Sequence, residues 1–183
     1  RRLKAWDKNV VSMGLSSGFL EPLESTSIHL IQIGVTRLMQ LFPFSGITNS
    51  VIHRYNEQSR VEYERIRDFI ILHYKVTERE DTPFWRDCRH MEIPDSLAQR
   101  IELFRESGLA YQATDEMFRV ESWMQVMLGQ RLRPRGYHHM GRMLGPERLR
   151  KALDTLKGSI EGAVSRMPTH REFLQSYCWA PEH

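Results

Sequence analysis

Hydrophobic positions in this chain recur mostly at three- and four-residue spacing, the mark of helices that bury one face. Val10, Val11 and Met13 are the exception, a short apolar run suited to a buried strand. After Pro22, which stands where a helix can begin, Leu23, Ile28, Ile31, Val35 and Leu38 fall at helical spacing. Phe42-Pro43-Phe44-Ser45-Gly46 breaks that run. A long helix is predicted from about Asn49 to Lys75, with Val51, Tyr55, Ile66, Phe69, Ile70 and Tyr74 facing inward. Its polar side carries Arg60, Glu62, Glu64, Arg65 and Arg67, spaced for ion pairs. Thr82-Pro83-Phe84-Trp85 reads as a cap and first turn of a short helix, and Pro94-Asp95-Ser96 opens another that Gly108 stops. Tyr111 to Phe118 has no clear period. Val120 to Leu128 is predicted helical, Arg133 to Gly136 a loop, and Pro146 to about Met167 a long amphipathic helix. Thr169 caps a final one carrying Phe173, Leu174 and Tyr177. With no internal repeat or low-complexity tract, the expectation is a mainly α chain with a short strand near its N-terminus.

Composition narrows the partners. The 183 residues are 40% hydrophobic, enough for a real core, and the net charge of +3 is mild, with acids interleaved among bases. The densest basic stretch, Arg131, Arg133 and Arg135 around Pro134 with Tyr137 following, fits a solvated loop or an intramolecular contact better than a nucleic-acid face. No apolar run is long enough to span a bilayer. Cys88 and Cys178 lie far apart with no C-x-x-C pair, which points to reduced thiols in a cytoplasmic protein. Among eight histidines, none shows H-x-x-x-H or H-E-x-x-H spacing, and Asp87, Cys88 and His90 are the nearest approach to a metal cluster. His29 and His73 sit in apolar helical stretches, where a hydrogen-bonded core histidine is the usual reading.

One stretch speaks of chemistry: Gly14-Leu15-Ser16-Ser17-Gly18-Phe19-Leu20-Glu21-Pro22-Leu23-Glu24-Ser25-Thr26-Ser27-Ile28. Gly and Ser permit a tight turn, and the helix start that follows offers amides and a positive dipole end to an anion. Glu24 is then either an ordinary acid in a first helical turn or a working catalytic group. Glu21 and Glu24 are not a carboxylate dyad on spacing alone, because Pro22 turns the backbone between them.

That stretch resembles the C-terminal signature of the flavin-dependent tryptophan halogenases. Ser27-Ile28-His29-Leu30-Ile31-Gln32 looks like a subgroup that often does not act on free tryptophan. Weaker agreement continues through Phe69-Ile70-Ile71-Leu72-His73-Tyr74 and Ser122 to Gly129. The resemblance implies the C-terminal, helical, substrate-side part of an α/β, FAD-dependent, monooxygenase-like halogenase. Residues 1–28 would carry the strand, turn and helix start at the active site, and residues 29–183 the helical substrate side. The G-x-G-x-x-G fingerprint and essential lysine of the family's N-terminal FAD-binding region are not matched here, so a fragment inactive by itself is expected.

The same resemblance implies roles. Such enzymes use reduced FAD from a flavin reductase, oxygen and a halide ion, chloride or bromide, to make a hypohalous acid that reaches an electron-rich aromatic substrate. Glu24 would be catalytic, the amides of Thr26 and Ser27 would hold the halide, and Leu15 and Ile28 would contact the flavin. The family usually has Gly where Ser27 stands, so a positive φ there would handicap chloride. Tyr111, Met117 and Phe118 would contact the substrate, without the Phe-Trp pair of tryptophan-specific members, so an indole-like or larger aromatic is expected. A homodimer is a further expectation. A hydroxylating FAD monooxygenase and a non-catalytic helical interaction module are the alternatives.

Overall fold

A computed structural model describes residues 1–178. The chain packs as two units, residues 1–137 and residues 138–183. In the first, a hairpin of β1 (Trp6–Asp7) and β2 (Val10–Val11) precedes α1 (Thr26–Gln40), α2 (Asn49–Lys75), α3 (Pro83–His90), α4 (Asp95–Ser107) and α5 (Val120–Gly129). The second holds α6 (Pro146–Val164) and α7 (His170–Tyr177), the latter opened by a capping box between Thr169 and Glu172. The mainly helical expectation holds.

Helix α2 organises the first unit. Thr48 caps it by accepting the Val51 N–H, and its inward stripe buries Tyr55, Ile66, Phe69, Ile70 and Leu72. Val51 and Tyr74 are only half-buried. Ile66, Phe69 and Leu72 meet Leu97, Ile101 and Phe104 of α4, Phe118, and Trp123 and Met127 of α5 in one cluster. Each such side chain contributes roughly 1.5–3 kcal/mol on burial. Gly108, with φ +66°, closes α4 by donating its N–H to the Phe104 carbonyl at 2.8 Å.

Charge pairs fasten α1 to α2. Glu62 accepts from Arg37 at 2.7 Å and faces His29 Nε2 at 2.8 Å, so His29 is a hydrogen-bonded helix-interface histidine. The hairpin docks through Asn56, which accepts the Trp6 N–H at 2.8 Å and donates to the Trp6 carbonyl at 2.7 Å.

Two expectations are corrected. The Val10–Val11 strand is not buried: it pairs antiparallel with β1 alone, Trp6 opposite Val11, and Val10 is exposed. The core contact belongs to Trp6, edge-on to Tyr55 at 5.5 Å, since a two-stranded hairpin buries only the side turned to α2. And α1 begins at Thr26, not near Pro22. The Ser25 N–H donates to the Pro22 carbonyl at 3.1 Å, closing a β-turn, and Ser25 sits left-handed at φ 57°, which no α-helix propagates through.

Candidate active site

The Gly/Ser stretch folds as a 3-10 turn over Gly14–Ser16, an extended run and the Pro22–Ser25 turn. Gly18 is obligatory there, because a Cβ on it would lie 2.7 Å from the Arg1 Cα. The turn puts Glu24 ahead of α1 rather than inside its first turn, which contains no acid at all. Glu24 is thus the residue before the N-cap Ser25, outside the helix but next to its N-terminal end.

Two consecutive residues of α2 hold the two acids of the stretch. Tyr74 donates its hydroxyl to Glu21, a bond that, with burial second, pushes the Tyr74 pKa up to about 12. His73 Nε2 lies 3.4 Å from Glu24 Oε1. Its Nδ1 is 2.8 Å from the Phe69 carbonyl, one helical turn back. His73, read from sequence as a core histidine, is thus half that and half a partner of Glu24. The available signal was its place as the polar residue between apolar Leu72 and aromatic Tyr74.

Glu24, Phe69, Phe118, Ser122, Gln125 and Val126 line a cavity of about 280 Å³. Its aromatic wall is built by stacking: Phe118 lies on Phe69 at 3.7 Å and 21°, and Trp123 meets Phe69 edge-on at 4.8 Å. Of the three aromatic-side residues expected at the substrate, Phe118 lines this cavity. Met117 packs against the core cluster, and the Tyr111 ring covers the Arg100 guanidinium at 4.2 Å. Arg100 itself is clamped to Glu116, which also accepts the Ala113 N–H at 2.8 Å, so a buried ion pair ties down the 109–119 segment that carries Phe118. Glu116 carried no sequence signal.

Thr26 is fully buried, and its Oγ1 finds no hydrogen-bond partner among the described residues. Its amide and that of Ser27 are among the first N–H groups of α1, which have no acceptor within the helix. The left-handed residue in this neighbourhood is Ser25, and Ser27 is not among the positive-φ residues, so the expected handicap of Ser at that position does not arise. Leu15 and Ile28 are 77% and 73% exposed; neither is core in this chain. In the basic loop, Arg131 pairs with Glu78 at 3.3 Å and Arg135 with Glu102 at 2.6 Å, partners that argue against a nucleic-acid face. No helix among the described residues is long and apolar enough to cross a membrane.

The sequence profile of the tryptophan halogenase family matches residues 1–146, and the chain belongs to that family. The fold is similar over the whole chain to Xcc4156, a flavin-dependent halogenase from Xanthomonas campestris, with 50% identity and a TM-score of 0.95, covering 37% of that chain. It is similar over 96% of its length to BrvH, a flavin-dependent halogenase from Brevundimonas sp. BAL3, with 44% identity and a TM-score of 0.92, covering 36% of that chain. Tryptophan 7-halogenase RebH from Lentzea aerocolonigenes is 35% identical over 113 residues, 62% of this chain. The chain spans only 21% of that relative's length.

Proposed function

We propose that the complete protein is a flavin-dependent halogenase of an electron-rich aromatic, and that this chain supplies the part of its active site where halogen meets ring. One observation carries the reading. Glu24, from the turn before α1, and Phe118, nearly a hundred residues later, line one small cavity beside the acid-free start of that helix.

The site residues suit the groups the family uses. Leu15 and Ile28, each apolar and exposed, are the residues assigned to the flavin. The Thr26 and Ser27 amides, with the unpartnered Thr26 hydroxyl beside them, suit a halide. When bound, reduced FAD from a reductase supplies the electrons that turn oxygen and halide into hypohalous acid. The chain's own residues then act on the substrate. Phe118, backed by Phe69, gives the cavity an aromatic wall against which a substrate ring packs. Glu24 stabilises the cation formed when the ring accepts halogen, then takes the ring proton as general base. The cavity is small and has an aromatic wall, which suits an indole-like ring. We place the enzyme in the cytoplasm, as a homodimer.

The test is to give the complete protein reduced FAD, oxygen, bromide and indole, and to look for product by mass. Brominated indole that requires bromide is the expected result. An oxygenated, halogen-free product would identify a hydroxylating relative and overturn the reading.

A further inference from the structure

We infer that His73 is a positioning residue for Glu24, holding its carboxyl group once that has collected a proton and relaying the proton onward; this inference rests on the halogenase reading above.

Hydrogen-bond logic fixes the tautomer. A carbonyl oxygen only accepts, so the 2.8 Å contact between His73 Nδ1 and the Phe69 carbonyl requires a proton on Nδ1. In the neutral ring, Nε2 then carries the lone pair, and Nε2 is the nitrogen that faces Glu24 Oε1 at 3.4 Å. A lone pair and a carboxylate oxygen both accept, so the bond between Nε2 and Glu24 forms only when a proton lies between them, on the carboxyl group or on the ring. Packing keeps the ring there: His73 lies edge-on to Phe69 at 4.9 Å, and its side chain is 17% exposed.

The other charged groups around this ring are already engaged. Glu21 accepts from Tyr74, Glu78 pairs with Arg131 at 3.3 Å, and Arg79 pairs with Asp81 at 2.7 Å while its guanidinium covers Trp85 at 4.2 Å. His73 and the neighbouring Tyr74, Glu78, Arg79, Trp85 and Arg131 also border a second, larger cavity of about 650 Å³. Among the described residues, His73 is the basic side chain facing Glu24, and the two form an ion pair when the ring is protonated.

The proton balance is simple. Carboxylate Glu24 takes H⁺ from the halogenated ring and becomes the acid. Transfer of that H⁺ to His73 Nε2 restores the Glu24 carboxylate and leaves an imidazolium, which donates back to the carboxylate. No electrons move. The pair returns to its starting state when the imidazolium gives H⁺ to solvent through the larger cavity that His73 borders.

Two substitutions separate structure from relay in the complete protein. In His73→Asn the amide nitrogen takes the place of Nδ1, keeping the bond to the Phe69 carbonyl while deleting Nε2. In His73→Gln the amide reaches the Nε2 position and can hold the Glu24 carboxylate, but cannot carry a proton. With bromide and indole, H73N is expected to lower kcat by about 10²-fold and H73Q by about tenfold, within the range of acid–base groups. KM should change less than about twofold in each. In an E24Q background, H73N should cost nothing further, because its effect passes through Glu24. Nitrogen-15 NMR of histidine-labelled protein gives a readout independent of turnover: E24Q should shift the His73 Nε2 resonance and leave Nδ1 protonated.

Equal losses from H73N with and without Glu24, or wild-type kcat in H73N, would overturn the inference, as would a His73 Nε2 resonance indifferent to E24Q. Absence of any brominated product from the wild type would instead refute the halogenase reading. The NMR comparison then still decides whether Glu24 and His73 are coupled.

Discussion

Replacing Arg100 with Met tests how the substrate side is held in shape. The Arg100 side chain is 9% exposed and that of its partner Glu116 1%. The guanidinium donates to Glu116 Oε2 at 3.1 Å and lies between the rings of Trp123, at 3.8 Å, and Tyr111, at 4.2 Å. Its second contact, to Glu116 Oε1 at 3.1 Å, falls outside hydrogen-bonding geometry and is electrostatic only. In R100M the Glu116 carboxylate keeps one charge-quenching donor, the Ala113 N–H. Breaking a buried pair in this way costs about 3–5 kcal/mol. The lost ring contacts belong to the same event, at about 0.5–2 kcal/mol each when measured alone, and are not added to it. At about 2–4 °C per kcal/mol for a protein of this size, Tm should fall by on the order of 10 °C. The second substitution E116Q removes the stranded charge and keeps an acceptor for Ala113, so R100M/E116Q should recover more than half of the loss. Differential scanning calorimetry of the four proteins completes the cycle. A single variant within about 1 kcal/mol of wild type, or a double variant no better than R100M, would refute the buried-pair reasoning.

Three further outcomes follow from the geometry. Phe118→Leu conserves most of the buried volume and should cost under about 1.5 kcal/mol, but it loses a ring-stacking surface worth about 0.5–1.5 kcal/mol, so KM for an indole should rise up to about tenfold in steady-state assays. An unchanged KM would place the substrate elsewhere. Ser25→Gly relieves a left-handed non-glycine residue and should hold or raise Tm, whereas Ser27→Gly, inside the helix, should lower stability by about 0.5–1 kcal/mol; thermal melts showing the opposite order would contradict the assigned backbone. Glu172 has its pKa held below the ordinary 4.5 by the Thr169 hydroxyl and, second, the Thr169 amide. Its folded pKa is depressed, so its contribution to α7 is fully present above 4.5 and is lost as pH falls through the depressed value. Amide exchange in the first turn of α7 should accelerate over that acid window, and Thr169→Ala should weaken the pH dependence, leaving the part due to the residue 169 amide.

Much of the architecture is written in local pattern. The 27-residue helix α2 has its ends where Thr48 and the apolar stripe place them, Gly108 and Thr169 mark boundaries by cap chemistry that acts within one turn, and α3 opens on Pro83 without the expected side-chain cap from Thr82. The start of α1 was harder, because a Pro-initiated β-turn and a Pro-initiated helix share their first residues. What separates them is the left-handed backbone of Ser25, which no side-chain pattern announces. Val10–Val11 misled for a similar reason: apolar residues specify a strand, not what covers it.

By itself the sequence determined the helical class and the family, because periodicity, caps and a long contiguous motif are carried by neighbours in the chain. The tertiary structure alone decided which distant residues join them. Phe118 shares a cavity with Glu24 on a segment that Arg100 and Glu116 pin, and His73 faces Glu24 from the helix whose next residue, Tyr74, holds Glu21. A contact across 49 positions and a cavity shared across 94 depend on how the helices pack, and that packing is a property of the whole core.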